Sequence, residues 1–158
     1  MSSADKNLSS QSPPKLQDIS NKNIAIIVSE WNDEITGSLY SATYQTLLQY
    51  GASKKKIIKK EVPGSYELPL AAQFMARKKN IDAVICLGSV IRGETPHFDF
   101  ICQAVAQGIK DVSLKYNKPV IFGVLTTENK KQALDRAGGK HGNKGDEAAI
   151  TAIKMLNF

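Results

Sequence analysis

The chain alternates four times between short apolar runs and longer segments in which apolar residues recur at helical spacing. The apolar runs predict strands over residues 23–29, 56–62, 81–90 and 119–125. The periodic segments predict helices over residues 34–50, 66–79, 96–116, 128–137 and 145–156. Continuous apolar runs are typical of strands that are covered on both faces. The pattern therefore predicts a parallel sheet with helices on both sides.

Two of the predicted strands differ in character. Residues 81–90 (IDAVICLGSV) are apolar enough for the centre of a sheet, whereas residues 56–62 carry lysines, which discourage unwanted pairing at a sheet edge. Gly51 is expected to end the first helix. Right-handed crossovers leave few topologies. We therefore predict an α/β fold, namely a flavodoxin-like three-layer α/β/α sandwich with a four-stranded parallel sheet.

The length of 158 residues is that of a single domain. Residues 1–22 are too polar to build a core, so we expect a flexible N-terminal tail followed by one α/β domain over residues 23–158. The tail lacks the apolar segment of a signal peptide, and no apolar run approaches the ~20 residues of a membrane span. We therefore expect a cytoplasmic protein without membrane partners.

The charge and the cysteines narrow the classes of function. Much of the net charge of +6 comes from residues 54–60 and 130–144, but aromatic residues are not interleaved there as a base-stacking surface requires. We therefore expect solvated charge or an acidic small substrate, and no nucleic-acid partner. Cys86 and Cys102 lie in apolar runs without metal-ligand spacing, which predicts two buried thiols and no metal site.

Ligands of open parallel sheets bind beyond the carboxyl ends of the strands. After residues 81–90 comes IRGET, in which Gly93 allows a tight turn; Thr95 suits the N-cap of a helix and Pro96 its first position. A helix N-terminus favours anions, so this loop can hold a phosphate or a carboxylate. His97 follows in the first helical turn and is either a surface residue or a proton-transfer group. Asp99 could orient it.

The other strand ends also carry unusual residues. Trp31 follows the first strand in a polar loop, where it either packs at a rim or offers a stacking surface for a planar heterocycle. Tyr66 and Glu67 follow the second strand, either as an ordinary helix start or as a site for hydroxyl groups. Arg136 lies late in a helix, where it either complements the helix dipole or binds phosphate.

Taken together, these segments resemble the 6,7-dimethyl-8-ribityllumazine synthase family. The resemblance spans about residues 23–158. It is carried by IIVSEWNDEIT, VPGSYELPLAA, CLGSVIRGETPHFDFICQAVAQGI, PVIFGVLTTEN and QALDRAGGKHGNKGDEAA, in the family's order. The resemblance implies an enzyme that condenses 5-amino-6-ribitylaminouracil with 3,4-dihydroxy-2-butanone 4-phosphate, without metal or organic cofactor.

The resemblance also implies roles for individual residues. His97 would be the acid–base catalyst, Trp31 would stack on the pyrimidine, and Phe122 and Arg136 would come from a neighbouring subunit. The implied substrate-binding residues are Trp31, Asn32, Ser65, Tyr66, Glu67, Val90, Ile91 and Phe122. The implied phosphate-binding residues are Gly93, Glu94, Thr95, Arg136 and Lys144.

Two positions depart from the family's usual residues. Trp31 stands where phenylalanine is common, so we hypothesise that the protein also binds riboflavin. Glu94 stands where a small residue is common, and its side chain is expected to point away from the phosphate.

Family members form pentamers, and many assemble twelve pentamers into a shell. The resemblance therefore implies a homo-oligomer, either a pentamer or a 60-mer of twelve pentamers, and an inactive monomer. The compact GGKHGNKG linker resembles the shell-forming members. Three rival functions share the scaffold: a flavin-binding or storage protein, a structural shell protein and a basic nucleic-acid-binding module.

Overall fold

The computed structural model describes residues 18–158 and contains a four-stranded parallel sheet. Its strands are β1 (Ile24–Ser29), β2 (Ile57–Val62), β3 (Ala83–Ile91) and β4 (Val120–Thr127). They lie in the order β2-β1-β3-β4, and each pairing is parallel. The predicted α/β fold with a four-stranded parallel sheet is confirmed.

Within the described residues, five α-helices cover the two faces of the sheet. They are α1 (Asp33–Gln49), α2 (Leu68–Ala76), α3 (His97–Tyr116), α4 (Lys130–Arg136) and α5 (Lys144–Leu156). Successive side chains of a strand point to opposite faces. Ile85 of β3 accordingly packs in one core with residues of α1 and α5, while the preceding Val84 packs in a second core with residues of α2 and α3. The result is the expected three-layer sandwich.

The two edges of the sheet differ from its centre. The first seven residues of β3 are buried, as expected for a central strand. Lys59, Lys60 and Glu61 of β2 are exposed at one edge, which confirms the edge position predicted from the lysines. The other edge is β4, where Phe122 and Thr126 are exposed.

Gly51 ends α1 as predicted. Its φ of +91° lies in the left-handed region that favours glycine. The Gly51 N–H donates to the carbonyl oxygen of Leu48 at 3.0 Å, and the Ala52 N–H donates to the carbonyl oxygen of Leu47 at 3.0 Å. This paired arrangement is a Schellman motif, which satisfies carbonyl groups that the end of the helix leaves open.

Two predicted helix starts are corrected. The helix predicted from residue 66 begins with a 3-10 helix (Ser65–Glu67), and α2 starts only at Leu68. Pro69 lies in the first turn of α2, where its missing N–H costs no hydrogen bond. The predicted cap at Thr95 is wrong, because α3 begins at His97 after Pro96 and no side chain caps it.

The glycine-rich linker between α4 and α5 contains an unpredicted pair of short antiparallel strands, β5 (Ala137–Gly139) and β6 (Gly142–Asn143). Ser38 of α1 anchors it: its Oγ donates to the carbonyl oxygen of Ala137 at 2.6 Å, and its carbonyl oxygen accepts from Asn143 Nδ2 at 3.3 Å. The strand pair therefore fixes the end of α4 and the start of α5.

The two cysteines differ in burial. Cys86 is fully buried in β3, and burial raises the pKa of its thiol to about 12. Cys102 is only half-buried, so the prediction of two buried thiols is wrong for this residue. The reason is its position in α3, which keeps one side towards solvent, whereas β3 is covered on both faces.

The expected tail falls mostly on residues 1–17, which lie outside the described residues. Ile19 is fully buried and packs in the same core as α1 and α5. The position of the domain boundary at residue 22 stays a prediction. Within residues 18–158, none of the helices combines the length and the apolar character of a membrane span.

Candidate functional site

A cleft of about 290 Å³ opens at the carboxyl ends of β1 and β3. It brings together many of the residues predicted from the sequence: Trp31, Asn32, Ser65, Tyr66, Val90, Ile91 and His97. Its lining also includes three residues that the sequence did not single out: Gly64, Ser89 and Ile101. The cleft therefore lies where a parallel sheet is expected to bind its ligand.

Hydrogen bonds to neighbouring strands hold the loop after β1 in place. The N–H of Trp31 donates to the carbonyl oxygen of Pro63 at 3.2 Å, and Asn32 Nδ2 donates to that of Ser89 at 2.9 Å. Asn32 has a φ of 62°, a left-handed conformation that asparagine tolerates better than most residues. The Trp31 side chain is 73% exposed on this fixed backbone, so its ring is available for stacking.

The turn after β2 packs closely against β3. A Cβ atom at Gly88 would lie only 2.6 Å from Ser65 Oγ and 3.0 Å from Leu68 Cδ1, so a larger residue at this position of β3 would force the Ser65 side chain to shift. Glu67 does not line the cleft, and its carboxylate accepts the N–H of Gly64 at 3.0 Å. A glycine within a buried strand often marks such a close approach, and this signal was present in the sequence.

The segment between β3 and α3 carries three predicted phosphate-binding residues, Gly93, Glu94 and Thr95. All three are exposed, lie outside the lining of the cleft and directly precede Pro96 and His97. Gly93 does not have a positive φ, and a Cβ atom there would meet nothing within 4 Å. The backbone conformation at Gly93 therefore does not require glycine, and the space beside this residue is open.

An ion-pair cluster that the sequence did not reveal surrounds this segment. Arg92 forms a bidentate pair with Asp99, with Nη2–Oδ1 at 2.9 Å and Nη1–Oδ2 at 3.1 Å, and its Nε lies 2.8 Å from Glu128 Oε2. Hydrogen bonding to Arg92 holds the pKa of Asp99 below its usual value, and the same bond raises the pKa of Arg92. Asp99 thus binds Arg92, and the hypothesis that it orients His97 finds no support in these contacts.

Three predicted residues lie in a different place. Phe122, Arg136 and Lys144 line a groove of about 560 Å³ along β4, the edge strand of the sheet. Arg136 Nη1 donates to the carbonyl oxygen of Gln132 in its own helix at 3.1 Å. Lys144 Nζ lies 2.6 Å from Glu147 Oε1, and both side chains are largely buried. The structure of one chain therefore separates these residues from the His97 cleft.

No three histidine, cysteine, aspartate or glutamate side chains of residues 18–158 come together in a way that could hold a metal ion.

Comparisons with known proteins agree on one family. A family model described as 6,7-dimethyl-8-ribityllumazine synthase matches residues 21–158. A protein of that name from Cytophaga hutchinsonii is 64% identical over 156 residues, covering 99% of this chain and 98% of its own length. A protein of the same name from Parabacteroides distasonis is 51% identical, covering 100% of this chain and 99% of its own length. Another from Flavobacterium johnsoniae is 48% identical, covering 98% of this chain and 82% of its own length.

Proposed function

We propose that this chain condenses 5-amino-6-ribitylaminouracil with 3,4-dihydroxy-2-butanone 4-phosphate. The chain belongs to the 6,7-dimethyl-8-ribityllumazine synthase family and is therefore a transferase of riboflavin biosynthesis. The product is 6,7-dimethyl-8-ribityllumazine. The observation that carries the proposal is the cleft in which an exposed Trp31, the polar turn at Ser65 and Tyr66, and His97 meet.

The ribitylaminouracil fits the part of the cleft between the first two strand ends. The indole of Trp31 stacks on the pyrimidine, and Val90 and Ile91 line the same cleft. Ser65, Tyr66 and Glu67 bind the ribityl hydroxyl groups. A carboxylate has several acceptor positions, so Glu67 can hold a ribityl hydroxyl together with the N–H of Gly64.

The phosphate of the second substrate fits the start of α3. The backbone N–H groups of Gly93, Glu94 and Thr95 and the Thr95 hydroxyl surround it, and the dipole of this 20-residue helix favours its charge. The open space beside Gly93 allows the phosphate to approach the backbone closely. The Glu94 carboxylate points away, because beside the phosphate it would repel it.

The reaction then needs positioning and proton transfer. The amine of the pyrimidine attacks the ketone, and loss of water gives an imine. Elimination releases inorganic phosphate, and attack of the second amine with loss of another water closes the ring. His97, exposed at the cleft, moves protons in these steps. Holding both substrates in reactive geometry supplies a large part of the rate.

The site is completed by a neighbouring copy of the chain. Phe122, Arg136 and Lys144 lie outside the His97 cleft of their own chain, although their chemistry suits a substrate ring and a phosphate. When the groove of one copy packs against the cleft of the next, Arg136 reaches the phosphate. This arrangement requires a homo-oligomer, a pentamer or a 60-mer of twelve pentamers. The cytoplasmic location stays a prediction.

Riboflavin binding is a second proposed property, and the exposure of Trp31 favours it. Flavin and lumazine share a planar fused heterocycle with a ribityl chain, so both fit the same cleft. Stacking on an aromatic side chain is worth about 1–3 kcal/mol per base, so Trp31→Ala should weaken riboflavin binding by about fivefold or more. Quenching of flavin fluorescence on titration measures it, and equal affinity in both proteins would rule out the stack.

The proposed reaction is tested by mixing the purified protein with the two substrates and recording the lumazine chromophore. Because this condensation proceeds slowly without enzyme, the rate is compared with a protein-free control. Acceleration by the assembled protein supports the proposal. No acceleration from protein shown to be assembled would contradict it and would favour the flavin-binding or shell function.

A further inference from the structure

Arg92 connects three parts of the chain around the proposed phosphate loop, residues 93–95. Its N–H donates to the carbonyl oxygen of Thr127 at the end of β4, at 2.9 Å. Its guanidinium binds both oxygens of Asp99 in the first turn of α3, and its Nε binds Glu128 just beyond β4 at 2.8 Å. The guanidinium carbon also lies 4.1 Å from the ring centre of Phe98, which is largely buried.

These contacts close the proposed phosphate loop into a ring. Arg92 directly precedes the loop and Asp99 lies in the first turn of α3, so their side-chain bond spans the loop from the residue before it to the helix after it. His97 lies inside the same ring. Stacking on Phe98 fixes the plane of the guanidinium, and the bidentate bond fixes its direction. A lysine could not make the same oriented contacts.

The charges of the cluster argue against direct phosphate binding by Arg92. Its single positive charge faces the two carboxylates of Asp99 and Glu128. A phosphate at this guanidinium would approach both negative charges as well. Arg136, by contrast, bonds a backbone carbonyl of its own helix, which leaves its charge suited to an anion.

We propose that Arg92 is a positioning residue that holds the Gly93–Thr95 loop and His97 in the geometry that receives the phosphate. It acts through Asp99 and Glu128 without touching the substrate. This role rests on the proposed function, because that function places the phosphate at the loop. The ion pairs that carry this role are exposed, with side-chain exposures of 36% for Arg92, 61% for Asp99 and 59% for Glu128.

The test compares four variants with the wild-type chain: Arg92→Met, Asp99→Asn, Glu128→Gln and the control Lys130→Met. The control also removes one positive charge, from an exposed pair of Lys130 with Glu34 outside both sites. Affinity for inorganic phosphate is measured by titration calorimetry, together with kcat and the KM of each substrate. The first three variants should weaken phosphate binding about tenfold, because small misplacements at a distance from the chemistry cost up to ~10²-fold. The KM of the pyrimidine substrate should change little in these three variants. In the control variant, the phosphate affinity should also change little.

The two carboxylate variants separate positioning from electrostatics. If charge alone decided phosphate binding, removing a negative charge beside the loop would tighten it. Positioning by Arg92 instead requires Asp99→Asn and Glu128→Gln to weaken binding, although both make the site less negative. Tighter or unchanged phosphate binding in these variants would overturn the proposal, and so would an equal rise in both KM values. The two carboxylate variants decide the matter even if Arg92→Met fails to fold.

Failure of the positioning role and failure of the proposed function give different results. If the wild-type protein forms the lumazine and the carboxylate variants bind phosphate as tightly as the wild type, only the positioning role is overturned. A wild-type protein that binds phosphate without accelerating the condensation would contradict the proposed function. In that case the phosphate titration of the variants still decides whether Arg92 positions the loop.

Discussion

The His97 cleft and the β4 groove are built in different ways. The cleft lies among loops that follow buried strand ends, and bonds such as that from Asn32 to Ser89 fix these loops to their neighbours. The groove runs along an edge strand, and within residues 18–158 β4 pairs with β3 alone. The loops of the cleft are thus fixed by bonds to neighbouring strands, whereas, within the described residues, the groove lies at an unpaired edge of the sheet.

The difference suggests which half of the proposed site depends on assembly. An apolar edge strand with unpaired backbone groups is normally covered or charged, and β4 presents the exposed ring of Phe122 instead. Arg136 and Lys144 lie beside this edge. We therefore expect the cleft to bind the pyrimidine largely on its own, and the groove to act only when another copy of the chain meets it.

The largest expected effect comes from the groove. Arg136→Ala should lower kcat/KM by about 10²–10³-fold, as is typical when a group that stabilises developing charge is removed. Steady-state kinetics of lumazine formation measure it. Lys131→Ala, which removes a highly exposed cation of the same helix, is the matched control and should retain activity. An equal loss in both variants would show that helix α4, and not the Arg136 guanidinium, matters.

A smaller loss is expected in the cleft. His97→Ala should lower kcat by about 10²-fold without abolishing turnover, because general acid–base catalysis is one contribution beside proximity. Single-turnover rates at saturating substrates separate this loss from weaker binding. Complete inactivity of a correctly assembled His97→Ala variant would contradict the limited role assigned to the histidine.

The smallest effect is expected at the rim of the cleft. Glu94 is exposed, and its side chain is expected to point away from the phosphate. Glu94→Ala should therefore change phosphate affinity little. Strong tightening, measured by the same phosphate titration as for the wild type, would mean that the carboxylate faces the loop.

The sheet could be predicted from the sequence because its strands are continuous apolar runs. Residues 81–90 indicated the central strand, and the lysines of residues 56–62 indicated an edge. The β5–β6 pair escaped prediction because its glycine-rich segment has no apolar pattern, and contacts with the distant Ser38 stabilise it. Local patterns do not encode such long-range bonds.

The same limit applies to the candidate site. Family resemblance supplied many of the residues that line the cleft but missed Gly64, Ser89 and Ile101, and the family itself is confirmed by the comparisons. The cluster of Arg92 with Asp99 and Glu128 joins residues from two loops and a helix, so no local sequence pattern predicts it. The glycine at position 88 of an apolar strand did indicate a close approach, but that its partner is Ser65 becomes visible only in three dimensions.

The most direct test of a site shared between copies is complementation of two defective variants. One variant carries Arg136→Ala in the groove, and the other carries Trp31→Ala with His97→Ala in the cleft. Random co-assembly of the two chains places an intact cleft beside an intact groove at about a quarter of the contacts between copies. We predict recovery of about that fraction of wild-type activity in co-expressed protein, compared with the separately purified variants. Activity no higher than that of the two variants alone would contradict a shared site.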